Sequence, residues 1–212
     1  MFFLVSCADS KVETIVPKSQ SNFSLVTKYG DYQSQEQELS TFIEQKMLTK
    51  KGIYTNYKKQ TYRKDEARGH ELLSESSGFW LEYLVTTHQY KKFRQFYAAT
   101  KTTFDQGSQF SYRYVTATKK QFNVNATLDD LRIIRALQMY TEATGNRSYK
   151  KEAATRFAKL QKNTMSRGKI ASFYDVKAHQ ASAESALSYY DFSTLKYFEM
   201  TSKKNQKMYA QQ

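Results

Sequence analysis

Apolar residues recur at three- and four-residue spacing along most of the chain, which is the period of an amphipathic α-helix. Leu39, Phe42, Ile43 and Met47 carry it across a first helix predicted for residues 35–48, and Ser34 and Gln37 have capping-box spacing at its start. A polar connection rich in Tyr and Lys follows over 49–68, bounded by the breakers Gly52 and Gly69. The pattern resumes with Phe79, Trp80, Tyr83 and Leu84, predicting a helix from 75 or 77 to 87. Tyr90, Phe93, Phe96 and Tyr97 predict another over 88–103.

Residues 107–125 break the helical period. Phe110, Tyr112 and Tyr114 alternate there with polar residues, the period of an extended segment. Helices are predicted again over 128–144 and 148–161, separated by Gly145-Asn146, and a last one from 192 to about 201. The result is a series of helical hairpins without a clean fixed-length repeat. A toroid, a solenoid and an irregular bundle all fit it.

Composition supports that picture. The 212 residues include 17 Tyr and 14 Phe, enough apolar surface to exclude an intrinsically disordered chain. One Pro and seven Gly are too few for a many-turned all-β fold. Lys and Arg number 33 against 20 Asp and Glu, a formal charge of +13. That charge predicts an anionic neighbour, which nucleic acid, a wall polymer or a membrane surface could each supply. The Tyr/Lys run Tyr54-Thr55-Asn56-Tyr57-Lys58-Lys59 carries no recognised nucleic-acid motif, so a solvated basic loop is expected and no specific nucleic-acid partner. His70, His88 and His179 lack metal-ligand spacing, and neither metal nor cofactor is expected.

Cys7 is the sole cysteine, so no intrachain disulfide can form. Leu4-Val5-Ser6-Cys7 reads like a bacterial lipobox, with the apolar stretch Met1-Phe2-Phe3-Leu4-Val5 before it and a polar tether after it. The stretch is shorter than the roughly 7–15 residues of a signal-peptide core and has no positive region ahead of it. Two readings stay open: a lipidated Cys7 anchoring a cell-surface protein to the membrane, with a start further upstream, or a chance match with an inert thiol. Residues 1–24 are accordingly expected to be leader and tether, and 25–212 the helical domain. No run of 18 apolar residues occurs.

Three separated segments carry chemistry. The first is Ser74-Glu75-Ser76-Ser77-Gly78-Phe79-Trp80, the second Phe110-Ser111-Tyr112-Arg113-Tyr114, and the third Asn125-Ala126-Thr127-Leu128-Asp129-Asp130-Leu131. Glycoside hydrolysis needs one carboxylic acid to protonate the leaving oxygen and a carboxylate to activate water, roughly 6.5–9.5 Å apart in inverting enzymes. Glu75 precedes Phe79 and Trp80, and an apolar wall would favour the protonated form an acid requires. Both carboxylate segments open helices at alternate places in the hairpin series, so in a toroid their starts meet at one rim. Trp80, Tyr112 and Tyr114 offer flat faces for sugar rings. Each residue also has a structural reading: Glu75 suits a helix N-terminus through the dipole, Thr127 with Asp130 forms a capping-box variant, and Trp80 is core by default.

In order and spacing these segments, with the later Ala186-Leu187-Ser188-Tyr189-Tyr190-Asp191, resemble glycoside hydrolase family 8, and more closely its Gram-positive exopolysaccharide-type relatives. The family motif Ser-Glu-Gly-x-Gly-Tyr-Gly-Met is matched at Ser74, Glu75 and Gly78, with Phe79 conservative. The family's Asn-Ala-Thr-Asp-Ala-Asp-Leu has Leu128 in place of its first aspartate, with Asp129 displaced by one. The resemblance covers about 37–200. It implies an all-α (α/α)6 toroid, here incomplete, that hydrolyses a β-linked polysaccharide with inversion. By position it implies Glu75 as general acid and Asp130 as the aspartate that orients the sugar. The family's base falls beyond Gln212, which leaves Asp191 as the local substitute and Asp175 as a weaker one. Asp129 and Tyr190 join the aromatic residues as expected substrate contacts. A non-catalytic surface protein binding polysaccharide or anionic wall polymer is the alternative from another class.

Overall fold

The computed structural model describes residues 26–199, apart from 69 and 167. Cys7, the tether and the basic run 203–207 lie outside the described residues. A two-residue hairpin, β1 (Val26–Thr27) and β2 (Gly30–Asp31), leads into α1 (Gln33–Phe42), which widens into a π-helical turn at Ile43–Met47. The capping box expected at Ser34 does not form: Ser34 Oγ bonds the Gln35 side chain, and the N-cap residue is Tyr32. No residue of α1 is buried, and Leu39 and Phe42 remain exposed.

The rest of the helices pack in sequence. They are α2 (Ser74–Thr86), α3 (Tyr90–Phe104), α4 (Thr127–Thr144), α5 (Arg147–Thr164) and α6 (Phe192–Glu199). In α3 the buried positions Phe93, Phe96, Tyr97, Thr100 and Phe104 follow the helical stripe that the sequence displays. Ala153, Phe157 and Leu160 do the same in α5. α4 is buried on several faces, because α2, α5 and α6 all pack against it. Phe93 stacks on Tyr140 with centroids 4.4 Å apart, and Phe157 on Phe198 at 3.8 Å. These pairs join outer helices to the central one and to α6.

The helices therefore alternate, with α2, α4 and α6 running one way and α3 and α5 returning. The return turns are tight. Three residues join α2 to α3, and two join α4 to α5, where Gly145 ends α4 in a left-handed conformation at φ 70°. Asn146 then caps α5, its side chain accepting the Ser148 N–H at 3.0 Å.

At the other rim the connections are long and carry short strands. β3 (Leu72–Leu73), β4 (Arg113–Val115) and β5 (Lys120–Gln121) make an antiparallel three-stranded sheet. β6 (Met165–Ser166) pairs with β7 (Lys169–Ile170), and β8 (Tyr174–Asp175) with β9 (Gln180–Ala181). Only the first of these regions was expected to be extended. The β4–β5 and β8–β9 turns place Lys119 and His179, sixty positions apart, at the same φ of 54°. A structural repeat thus exists where no sequence repeat is visible. His70 and His88, both at φ 59°, also occupy left-handed positions, so all three histidines serve turns.

One buried ion pair fastens the long 49–73 connection to the sheet. Arg113 Nε and Nη2 bond both oxygens of Glu71 at 2.7 and 2.9 Å, and its remaining donors reach the carbonyls of Arg63, Lys64 and Glu66. All three nitrogens of the buried guanidinium thus find acceptors, one each on Nε and Nη1 and three around Nη2. No helix among the described residues is long and apolar enough to cross a membrane.

Candidate active site

α2 and α4 start side by side, and the contact is close because residue 78 is glycine. A Cβ at Gly78 would lie 2.9 Å from the Cβ of Arg132. The matched glycine of the first motif is therefore a packing requirement between these two helices.

At this junction the Ser74 N–H donates to the Tyr112 carbonyl at 3.0 Å, and Ser74 Oγ donates to Asp129 Oδ2 at 2.8 Å. Asp129 is buried, with its carboxyl pushed up to about 7 by burial, which the Ser74 hydroxyl and Arg132 oppose and the nearby Glu75 charge reinforces. The Glu75 side chain lies one position along α2 and is 49% exposed. Arg132 Nη1 contacts Glu75 at 3.3 Å and Asp129 at 3.5 Å. Both contacts end on one nitrogen, so these oxygens are no more than about 7 Å apart. The Arg132 guanidinium lies over the exposed Phe79 ring, 4.2 Å from its centroid. The Tyr189 hydroxyl is raised by burial and, to a lesser degree, by the charges of Asp129 and Glu75.

The motif Asn125-Ala126-Thr127-Leu128-Asp129-Asp130 divides its labour differently from the expectation. Asp130 is 2% exposed. Its Oδ1 accepts the Phe110 N–H at 2.9 Å and its Oδ2 accepts Asn125 Nδ2 at 2.6 Å. Burial pushes its carboxyl up to about 7, against those two donors. Asn125 Oδ1 accepts the Tyr174 N–H at 2.7 Å, and Thr127 Oγ1 donates to the Ala171 carbonyl at 2.6 Å. Asn125, Thr127 and Asp130 thus tie three rim segments together. Asp130 is engaged in holding the rim, and Thr127 and Asp130 form no capping box, since the N-cap is Ala126 without a side-chain bond.

Other expected site residues are also relocated. Asp191 caps α6, accepting the Thr194 N–H at 3.2 Å and the Thr194 hydroxyl at 2.5 Å. Its charge bears on Glu82, two helical turns or about 10 Å along α2 from Glu75. It is therefore not paired with Glu75. Trp80 is 6% exposed and stacks on Tyr83, so the apolar wall expected beside Glu75 is absent. Tyr114 is buried, with Lys51 bonded to its hydroxyl and lying over its ring. Tyr190 uses its hydroxyl to accept the Ile170 N–H at 3.2 Å. Tyr112 is half-buried and edge-on to Phe122, with its carbonyl holding Ser74. Asp175 forms the β8–β9 turn through the N–H groups of Lys177 and Ala178.

What the structure gathers is Glu75, Asp129, Arg132, Phe79 and Tyr189. Sequence reasoning missed Arg132 and Tyr189. Arg132 had a signal, since it stands three residues after Asp129, the spacing at which helix side chains meet.

No protein-family model and no curated protein matches the sequence. Solved structures do. The chain superposes with TM-score 0.72 and 26% identity on a novel alpha-amylase from Clostridium perfringens, covering 81% of this chain and 50% of that one. PssZ from Listeria monocytogenes follows at 0.65 and 24%, covering 79% and 50%. The endoglucanase of glycosyl hydrolase family 8 from Klebsiella pneumoniae gives 0.65 and 17%, covering 81% and 56%. The chain has a glycoside hydrolase family 8-like fold. It spans about half the length of the solved structures it matches. The alternating helices are thus part of an (α/α)6 toroid, and the rim with the long connections carries the carboxylates.

Proposed function

We propose that this family 8-like chain is a glycoside hydrolase acting on a β-linked bacterial polysaccharide, with inversion and with Glu75 as proton donor. The observation that carries the reading is the Glu75 carboxylate itself. It is exposed at the open rim, at the first turn of α2, with a second and buried carboxylate, Asp129, held behind it through Arg132. In this reading Asp129 and Tyr189 contact the sugar beside the cleaved bond. A cell-surface location through a lipidated Cys7 belongs to the same proposal and agrees with a polymeric substrate outside the cell.

A second reading is a surface protein that binds polysaccharide without turning it over. Two observations favour it: Asp191 is committed to capping α6, and no apolar wall shields Glu75. Incubating the intact chain with β-1,4-linked glucans and hexosamine polymers, and measuring new reducing ends, separates the two. The hydrolase reading expects release that drops about 100-fold or more in Glu75→Gln. Polymer binding with no release, unchanged by that substitution, selects the binding protein.

A further inference from the structure

Arg132 is held on three sides. Its stem packs against Gly78, its flat face lies on Phe79, and Nη1 spans Glu75 and Asp129. The two carboxylates are not equivalent. Asp129 is buried and fixed by the Ser74 hydroxyl, whereas Glu75 is half exposed and is held through Arg132. The Arg132 side chain is itself 19% exposed. A guanidinium stacked on an aromatic ring keeps its donor edge free for planar, two-point recognition of a carboxylate. The exchangeable partner is Glu75, and the natural competitor is another carboxylate arriving from solvent.

The surrounding rim favours such a ligand. The 49–73 connection holds seven Lys or Arg against three Asp or Glu, one of which is Glu71, already neutralised by Arg113. Lys119 and Lys120 add exposed positive charge from the β4–β5 turn. Fields of this sign raise the local concentration of a polyanion.

We propose that Arg132 is a specificity-determining residue that binds a substrate carboxylate, so that the rim takes a uronic acid-bearing polysaccharide, with Phe79 as the floor beneath the guanidinium. The inference rests on the polysaccharide reading above and names its substrate class.

Calorimetric titration of the intact chain tests it, using a β-1,4-linked hexuronic acid hexasaccharide and the same oligosaccharide with its carboxyl groups reduced to alcohols. The acidic form is expected to bind about tenfold or more tightly than the neutral one, the strength of one charged two-point contact. That preference should fall below about twofold in Arg132→Met and be partly kept in Arg132→Lys, while Lys58→Ser with Lys59→Ser lowers only its salt dependence. Equal binding of both forms by the unaltered chain, binding of neither, or an unchanged preference in Arg132→Met overturns the proposal. Reducing ends measured on the same samples keep it distinct from the hydrolase reading. Acid-selective binding without cleavage retains Arg132's role and removes hydrolysis, and cleavage of the neutral form with no charge preference does the reverse.

Discussion

The two ends of the helical layer are built on opposite principles. At the tight end, helices reverse within two or three residues on one left-handed residue each, His88 and Gly145, the second followed by an asparagine cap. At the other end, 22 residues separate α3 from α4 and 27 separate α5 from α6, and these segments are stitched by buried polar side chains. Asn125, Thr127 and Asp130 there do for irregular backbone what helical hydrogen bonds do elsewhere, because buried N–H and C=O groups must find partners. The difference shows what the long rim requires. It must hold carboxylates in a fixed frame while leaving Glu75 and Phe79 open to solvent, which a tight turn cannot do.

If that is right, substitutions at the two ends should differ in size. The largest loss is expected from Glu71→Ala, which leaves the Arg113 guanidinium buried and uncompensated; denaturant unfolding should show about 3–5 kcal/mol. A loss below about 1 kcal/mol would mean that the long connection is not fastened through this pair. Next comes Gly78→Ala. Although alanine favours helices, the added Cβ meets Arg132 at 2.9 Å, and a net destabilisation of about 1–3 kcal/mol is expected from overpacking. At the tight end, Asn146→Ala should cost about 1 kcal/mol, the worth of one cap.

A last comparison, within the long rim itself, is a matter of pH. Asp129 has its carboxyl raised to about 7 in the folded state, from 3.8, chiefly by burial. A raised group contributes stability that is fully present below its unfolded value and is lost as pH rises through the folded one. Asp129→Asn cannot ionise, so relative to the unaltered protein it should gain stability as pH rises from 5 to 7, by about 1.4 kcal/mol per pH unit and roughly 3 kcal/mol in all, and level off above. Parallel melting curves for the two proteins across that range check it. A constant difference would place Asp129 in a more solvated setting than α2 and α4 provide.

The sequence made the helices legible because each buries a stripe, and α3 and α5 show it at the positions read from spacing. The hairpins β6–β7 and β8–β9 were not legible. Their strands are two residues long and are held by tertiary contacts such as Thr127 to Ala171 and Asn125 to Tyr174, which leave no period to detect. In the site, sequence order named both Asp129 and Asp130 but not which of them shares Arg132 with Glu75; the structure gives that contact to Asp129. Adjacent helix positions differ by about 100° in direction, and motif matching by order alone does not resolve that rotation. Trp80 illustrates the same limit: helical geometry turns it toward Tyr83 and the apolar groove lined by Leu39 and Ile43, away from Glu75.

The central claim is that the carboxylate rim, and not that groove or the tight end, receives the saccharide. Titrating the isotopically labelled chain with an acidic oligosaccharide, and following amide shifts by nuclear magnetic resonance, tests it most directly. The account predicts changes concentrated at Glu75, Asp129, Arg132 and Tyr189. Changes centred instead on Leu39, Ile43 and Tyr83, or on Gly145 and Asn146, would contradict it.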